Sequence, residues 1–131
     1  MKKIGITGGI GSGKTYVASV FQSLGIPIFN ADIQAKKIMT SSRKLIKLLK
    51  EEFGNDIYKD SDLNKEKLAS IVFSNSDKLQ KLNSLVHPIV KEEFNNWCKK
   101  QTSPYVIKEA AILFESNSHI GLDAVICVSA P

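Results

Sequence analysis

A glycine-rich segment near the start of the chain has the residue types and spacing of a phosphate-binding loop. Residues 8–15 read Gly-Gly-Ile-Gly-Ser-Gly-Lys-Thr and fit the pattern G-x-x-x-x-G-K-[ST] at every fixed position. Glycines can adopt positive φ, so successive backbone N–H groups can point inward and form an anion-binding nest. Lys14 would reach the β- and γ-phosphates of a nucleoside triphosphate, and the Thr15 hydroxyl would hold Mg²⁺. The predicted phosphate contacts are Gly9, Ile10, Gly11, Ser12, Gly13, Lys14 and Thr15.

The segments on either side of this loop are those that the motif requires. Residues 3–7 have the pattern of a short strand, and apolar residues recur at helical spacing from Lys14 onward. Gly25 is typical of a helix C-terminus, and residues 26–30 have the pattern of a second strand. A strand, a helix and a strand in so short a segment predict a βαβ unit and therefore a parallel sheet.

The middle of the chain is predicted to be helical. Residues 33–100 carry several apolar stripes at helical spacing, and Gly54 stands at the end of one of them. Asn64 and Ser76 are candidate N-caps, because short polar side chains accept hydrogen bonds from the first turn of a helix. Pro88 would suit the first turn of a further helix, since its missing N–H has no partner there in any case.

The strand pattern returns in the last quarter of the chain. Residues 105–107 and 124–128 are apolar, and the second run is typical of a strand buried on both faces. We predict an α/β fold of the P-loop NTPase type, a doubly wound parallel sheet with a helical insertion. The core would comprise residues 1–32 and 104–131, and the insertion residues 33–103. Because doubly wound sheets usually have more strands than these four, we also expect the sequence to be truncated at its C-terminus.

Two carboxylates are predicted at the carboxyl edge of the sheet, where ligands bind in open α/β folds. Asp32 directly follows the second strand. By position it is either a general base for an acceptor hydroxyl or the N-cap of the next helix. Glu109 ends the third strand, either as a ligand of Mg²⁺ through water or as a surface carboxylate paired with a lysine. The residues alone leave both choices open.

Composition narrows the class of protein further. The chain has 131 residues, 43% of them hydrophobic and 24% charged, which is ordinary for a globular domain. The net charge is +5, but Arg43 is the only arginine and the lysines are scattered, so we predict no nucleic-acid partner. No apolar run approaches the roughly 20 residues of a spanning helix, and no secretory signal is present. We therefore predict a cytoplasmic protein without membrane contact. Cys98 and Cys127 are expected to be reduced, packed thiols.

The sequence also argues against a GTPase. GTPases carry a guanine-reading N-K-x-D and a D-x-x-G switch, but residues 64–67 read Asn-Lys-Glu-Lys, and D-x-x-G does not occur. A P-loop kinase acting on a small molecule fits better, because it needs a phosphate loop and a carboxylate near the acceptor hydroxyl.

Four separate blocks of sequence resemble those of one kinase family, the dephospho-CoA kinases. Residues 5–15 are close to its G-L-T-G-G-I-G-S-G-K-[ST], and residues 30–32, Asn-Ala-Asp, match its D-A-D. Residues 87–88 match its H-P, and residues 112–115, Ile-Leu-Phe-Glu, match the end of its P-L-L-F-E. The spacing of the blocks also agrees, so the resemblance runs from residue 3 to the end of the chain.

The resemblance implies a reaction and its participants. The reaction is ATP-dependent phosphorylation of the ribose 3′-hydroxyl of dephospho-CoA, the last step of coenzyme A synthesis, with Mg²⁺ as cofactor. Asp32 would be the catalytic base, acting with Lys14, and Asp32, His87 and Glu115 would contact the substrate. Thr15 and Glu109 would bind the Mg²⁺. Another P-loop small-molecule or nucleotide kinase, or a nucleotide-binding fragment without catalysis, are the alternatives. The oligomeric state has no signal in the sequence, and a monomer is expected.

Several residues depart from the family pattern. Asn30 replaces the first Asp of D-A-D, and little effect is expected because the second Asp is the base. Ala111 stands in place of a usual Pro, and Glu109 in place of an Asp. Asn64-Lys65 stands where D-R is typical, which puts a substrate contact there in doubt. The Q-x-x-R segment and basic lid of the family are not in this sequence, in line with the expected truncation.

Overall fold

The computed structural model of the chain describes residues 1–8, 13–60, 62–111 and 119–129. It divides the chain into two compact units. The first unit contains Met1–Gln34 and Lys91–Pro131, and the second contains Ala35–Val90. None of the helices in the described part of the chain is both long and apolar enough to cross a membrane.

Strands and helices alternate at the start of the chain, helices dominate its middle, and two strands follow the last helix among the described elements. The strands among the described residues are β1 (Lys2–Thr7), β2 (Ile28–Asn30), β3 (Tyr58–Lys59), β4 (Asp62–Leu63), β5 (Tyr105–Glu109) and β6 (Ala124–Cys127). The α-helices are α1 (Lys14–Ser23), α2 (Ala31–Ser41), α3 (Arg43–Phe53), α4 (Lys65–Phe73) and α5 (Ser76–Lys99).

The main sheet lies in the first unit, is parallel throughout, and has the strand order β2-β5-β1-β6. Its register brings Ile6 of β1 and Asn30 of β2 opposite the same residue of β5, Glu109. The carboxyl ends of three neighbouring strands therefore meet at one edge. The predicted parallel α/β sheet is confirmed.

Both faces of this sheet are covered, which is the doubly wound arrangement. Side chains alternate between the faces of a strand, so Ile28 and Phe29 point to opposite sides. Ile28 belongs to the apolar cluster around Ile6 and Ile107, which also includes residues of α1. The ring of Phe29 instead packs against two rings of α5, with centroids 5.2 Å from Phe94 and 5.5 Å from Trp97.

The strand predicted to be buried on both faces is more exposed than its sequence indicates. β6 lies at the edge of the described sheet, and its side chains are half-buried or exposed. An apolar run predicts that a strand is buried, but it does not predict the position of that strand in the sheet. The packed thiol predicted for Cys127 is therefore wrong, since Cys127 is exposed on β6. Cys98 is buried as predicted, and burial raises the pKa of its thiol.

The second unit is built from capped helices around a small core. The Ser42 hydroxyl accepts a hydrogen bond from the N–H of Leu45 at 3.2 Å, which starts α3. Leu45 and Leu49 are fully buried, and α3 ends at Gly54 with φ 103°. The predicted N-cap at Asn64 is confirmed, because its Oδ1 accepts from the N–H of Lys67 at 3.1 Å.

The two helices predicted around Pro88 are one. α5 continues from Ser76 to Lys99 with Pro88 inside it, although an internal proline removes a backbone hydrogen bond. Val86 and Val90 are both buried, so the apolar face passes Pro88 without a break in period. The cap is also one residue earlier than predicted, because Asn75 Oδ1 accepts the N–H groups of the first turn at 3.0 and 3.3 Å.

Candidate active site at the carboxyl edge of the sheet

The edge of the sheet and the start of α1 bring polar side chains together. Asn30 and Glu109 end neighbouring strands, and Lys14 and Thr15 open α1. Gly13 precedes them with φ 91°, and its carbonyl accepts the N–H of Val17 at 3.0 Å, the first turn of the helix. A side chain at position 13 would be strained at this φ, which accounts for the glycine there.

The Glu109 carboxylate lies at the centre of the group. Its Oε2 accepts from Asn30 Nδ2 at 3.0 Å, and its Oε1 lies 3.4 Å from Thr15 Oγ1, which donates to it. Glu109 is only 4% exposed. The alternative of a surface carboxylate paired with a lysine therefore does not fit, since its partners are an amide and a hydroxyl.

This buried negative charge lacks a cation among the described residues. The ion pairs in that part of the chain are Lys14 with Asp32 and Lys67 with Asp56. A buried carboxylate without a positive partner is costly, so the arrangement favours a cation beside it. The oxygens of Thr15 and Glu109 are the hard donors that Mg²⁺ prefers.

The described residues contain no cluster of three or more His, Cys, Asp or Glu that could hold a metal by itself. Mg²⁺ keeps water and phosphate ligands and takes few ligands from protein. The donor set at Thr15 and Glu109 thus fits a magnesium ion shared with a bound phosphate.

Asp32 lies in the first turn of α2 at the same edge. Its Oδ2 accepts the N–H of Ala111 at 3.0 Å and lies 3.8 Å from Lys14 Nζ. The side chain is 51% exposed, so a substrate hydroxyl could approach it. The N-cap alternative for Asp32 is wrong, because Asn30 Oδ1 accepts the N–H of Ile33 at 3.0 Å and caps the helix instead.

Asn30 is a residue of the candidate site that the sequence reasoning did not single out. The family pattern predicts little effect of Asn at this position. In the structure its amide oxygen caps α2 and its amide nitrogen donates to Glu109. Two signals were available. Asn is among the best N-cap residues, and Asn30 and Glu109 end strands that a doubly wound sheet can place side by side.

The other predicted residues are His87 and five residues that the structure does not describe. His87 is half-buried in α5, within the second unit. Five predicted residues lie outside the described part of the chain: Gly9, Ile10, Gly11, Ser12 and Glu115. The structure thus brings together Lys14, Thr15, Asp32 and Glu109.

Comparisons with known proteins agree on one family. The family model described as dephospho-CoA kinase matches residues 2–131. A dephospho-CoA kinase of Chlorobium chlorochromatii is 41% identical over 97% of this chain and 64% of its own length. One of Porphyromonas gingivalis is 40% identical over all of this chain and 65% of its own length.

Solved structures show the same fold. The crystal structure of TT1252 from Thermus thermophilus superposes with a TM-score of 0.85 at 32% identity, covering 99% of this chain and 66% of that one. The dephospho-CoA kinase from Campylobacter jejuni has a TM-score of 0.74 at 24% identity, over 97% and 66% of the two chains. This second likeness bears on the fold alone.

The chain thus spans a little under two thirds of the length of these relatives. Within that span, the family model covers nearly every residue, and the phosphate-loop lysine, the acidic residue after β2 and the carboxylate at the end of β5 share one edge of a parallel sheet. On the sequence match and the fold together, this chain belongs to the dephospho-CoA kinase family.

Proposed function

We propose that this protein transfers the γ-phosphoryl group of ATP to the ribose 3′-hydroxyl of dephospho-CoA, giving ADP and coenzyme A. The family supports the substrates. The observation that carries the proposal is the meeting of Lys14, Asp32 and Glu109 at the carboxyl edge of the sheet, because phosphoryl transfer needs a cation, a base and a metal ligand in one place.

The phosphate loop binds the donor in this proposal. The backbone N–H groups of residues 9–15 and the N-terminal end of α1 would face the triphosphate, and Lys14 would neutralise charge at the β- and γ-phosphates. In the structure the Lys14 ammonium is near Asp32 at 3.8 Å, a distance long enough for a phosphate to compete for it.

Thr15 and Glu109 would hold Mg²⁺, and Asn30 would fix the orientation of the Glu109 carboxylate. A bound magnesium ion supplies charge neutralisation across the β- and γ-phosphates. Glu109 contributes by being buried, since a desolvated carboxylate interacts more strongly with a cation than an exposed one.

Asp32 would take the proton. As the acceptor oxygen forms its bond to phosphorus, the bond from phosphorus to the leaving ADP oxygen breaks, and the hydroxyl proton passes to Asp32. The hydrogen bond from the Ala111 N–H to Oδ2 orients the carboxylate, which leaves Oδ1 available to face the hydroxyl.

The acceptor side of the proposal rests on the family pattern. The helical insertion, residues 33–103, would bind dephospho-CoA, with His87 and Glu115 contacting it. We further propose a cytoplasmic monomer that uses neither nucleic acid nor a membrane as partner, in keeping with the scattered lysines and the absence of a spanning helix among the described residues.

A panel of acceptors tests the proposal. The chain is incubated with Mg²⁺ and γ-labelled ATP, together with dephospho-CoA, AMP, another nucleoside monophosphate or no acceptor. We expect label on the 3′-hydroxyl of dephospho-CoA and little on the other acceptors. Labelling of a nucleotide in preference to dephospho-CoA would assign another kinase reaction, and binding of ATP without any transfer would leave only a nucleotide-binding role.

A further inference from the structure

A cavity lined by several lysines lies in the first unit, apart from the carboxyl edge of the sheet. Its volume is about 250 Å³. Its lining includes three lysines, an asparagine, an aromatic ring and the turn that precedes β6: Lys3, Lys91, Phe94, Asn95, Lys108 and residues 120–122. We call this the lysine cavity.

The strand register explains why the lysines converge. Lys108 of β5 lies opposite Gly5 of β1, and Lys3 is two residues before Gly5, so both lysines extend from the same face of the sheet. Gly5 has no side chain to fill the space beside Lys108. On α5, Lys91 and Asn95 are four residues apart and therefore share one face of the helix.

This face is not the one that carries the candidate active site carboxylate. Lys108 and Glu109 are consecutive in β5, so their side chains point to opposite sides of the sheet. Glu109 meets Thr15 of α1, whereas the Lys108 ammonium meets the Phe94 ring of α5. An ion in the lysine cavity would therefore be separate from the nucleotide phosphates.

Lys108 is the unusual member of the group. It is 4% exposed, and its Nζ lies 5.0 Å from the centroid of the Phe94 ring, a cation–π contact. The two ion pairs that the described residues form do not include Lys3, Lys91 or Lys108. Burial lowers the pKa of the Lys108 ammonium, and the nearby charge of Lys91 lowers it further, while Cys98 acts in the opposite direction.

A buried ammonium is normally paired with a carboxylate or another anion, because desolvation alone disfavours the charge. Here two further ammonium groups line the same cavity, and its lining residues include no carboxylate. The nearby Asp123 carboxylate accepts the backbone N–H of Lys3 at 2.6 Å, and the Lys108 ammonium lies over the Phe94 ring. The cavity has room for a small anion, and three lysines offer donors for several of its oxygens.

From this geometry we propose that the lysine cavity binds a small oxyanion of the size and charge of inorganic phosphate. Lys108 forms the buried floor of the site, Lys3 and Lys91 supply the other charges, and the Asn95 amide donates a hydrogen bond. The bound anion provides the negative charge that the protein does not place beside Lys108.

Calorimetric titration with inorganic phosphate tests this site. The titration is made in the Lys14→Met background, which weakens phosphate binding at the nucleotide loop and so isolates the second site. We expect one site per chain, weakened by at least about tenfold in Lys108→Met and by several-fold in Lys91→Gln, because a truncated partner leaves charge on the ligand unpaired. Lys99→Gln removes one exposed lysine of the same helix outside the cavity, and we expect it to change the affinity by less than about twofold.

The outcomes divide cleanly. No phosphate binding in the Lys14→Met background overturns the proposal, as does an equal loss in Lys91→Gln and Lys99→Gln, which would indicate a general effect of net charge. If Lys108→Met fails to fold, the comparison of Lys91→Gln with Lys99→Gln decides alone. None of these outcomes depends on the kinase reaction, so failure here leaves the proposed function intact.

Discussion

Asn30 shows how one side chain can both cap a helix and contact a residue of the candidate site. Its two amide ends do different work: the oxygen caps α2, and the nitrogen donates to Glu109 at 3.0 Å. A carboxylate at position 30 could keep the cap but would place a second negative charge beside Glu109. The neutral amide at position 30 can therefore lie beside the Glu109 carboxylate without electrostatic repulsion.

Substitution of Asn30 separates these two roles. Asn30→Ala should lower the free energy of unfolding by about 1–3 kcal/mol, since a cap and a hydrogen bond to a buried carboxylate are both lost. The loss of stability in Asn30→Asp should be smaller at low pH and larger near neutral pH. Two facing carboxylates raise the pKa of one of them in the folded state, so the free energy of unfolding falls as pH rises through that pKa. Urea denaturation at pH 5 and pH 8 measures both effects. Equal losses of unfolding free energy in Asn30→Ala and Asn30→Asp at both pH values would contradict both the capping role of Asn30 and the repulsion between positions 30 and 109.

Asp32 has a distinct signature as a base. Asp32→Asn should lower kcat for phosphoryl transfer by at least about a hundredfold and change the binding of ATP little, because the amide cannot take a proton but keeps the shape of the side chain. Asp77→Asn is the matched control, since Asp77 also lies in the first turn of a helix. Steady-state kinetics with varied ATP separates the two constants. Losses of similar size in kcat and in ATP affinity would indicate a structural role.

At this scale the sequence predicted which residues lie near one another where a motif or the end of a strand fixes their position. Lys14, Thr15, Asp32 and Glu109 meet as the positions after a strand or at a helix start imply. What the sequence left open was which acid or amide fills which local hydrogen bond. The sequence leaves Asp32 as either a base or the cap of α2, and in the structure Asn30 is the residue that caps this helix.

Among the elements, α5 departs most from its sequence pattern. The sequence predicts a helix boundary at Pro88 because proline usually starts or ends helices, but tertiary packing of the apolar face extends the helix through it. The error for β6 has a similar origin. Its apolar run records the tendency to be buried, while position in the sheet order decides how much of the strand is covered.

Because α5 is continuous through Pro88, the proline lowers the stability of the helix at this point. Pro88→Ala should raise the free energy of unfolding by about 1–3 kcal/mol, because the missing backbone donor returns and the ring clash is relieved. Glu92→Ala, one turn further along the exposed side of α5, should change stability by less than about 0.5 kcal/mol. Urea denaturation of both variants is the measurement. A lower stability for Pro88→Ala would show that α5 is broken at this point.

The molecule as a whole carries a net charge of +5, and one of its positive charges belongs to Lys108, whose side chain is largely buried. The pKa of Lys108 is lowered in the folded chain, so the folded state binds the Lys108 proton less tightly than the unfolded state does. Between its lowered pKa and the ordinary value of 10.5, the unfolded chain therefore binds more protons, and stability rises with pH in that window.

Lys108→Met should remove this dependence. At pH values below the folded-state pKa of Lys108 the variant should be more stable than the parent chain, since a buried charge is replaced by an apolar side chain of similar length. The difference should shrink as pH approaches 10.5. Thermal unfolding from pH 7 to 10 in phosphate-free buffer measures it. A constant difference across that range would show that Lys108 keeps its ordinary pKa.

At the scale of the whole molecule, the sequence predicted the class of fold because the phosphate-loop motif constrains the elements on either side of it. A phosphate nest requires a strand before it and a helix after it, and that βαβ unit in turn requires a parallel sheet. The lysine cavity had no such motif. It depends on the register of Gly5 with Lys108 and on which face of α5 meets the sheet, and neither can be read from spacing along the chain.

The central claim is that the carboxyl edge of the sheet is a triphosphate site organised by Lys14. Calorimetric titration of the chain with Mg·ATP tests it most directly, beside Lys14→Met and, as a control of equal charge, Lys99→Met. We expect one site per chain, an affinity at least about tenfold weaker in Lys14→Met, and no more than about a twofold change in Lys99→Met. Equal affinity in the parent chain and Lys14→Met, or no binding of Mg·ATP at all, would contradict the account.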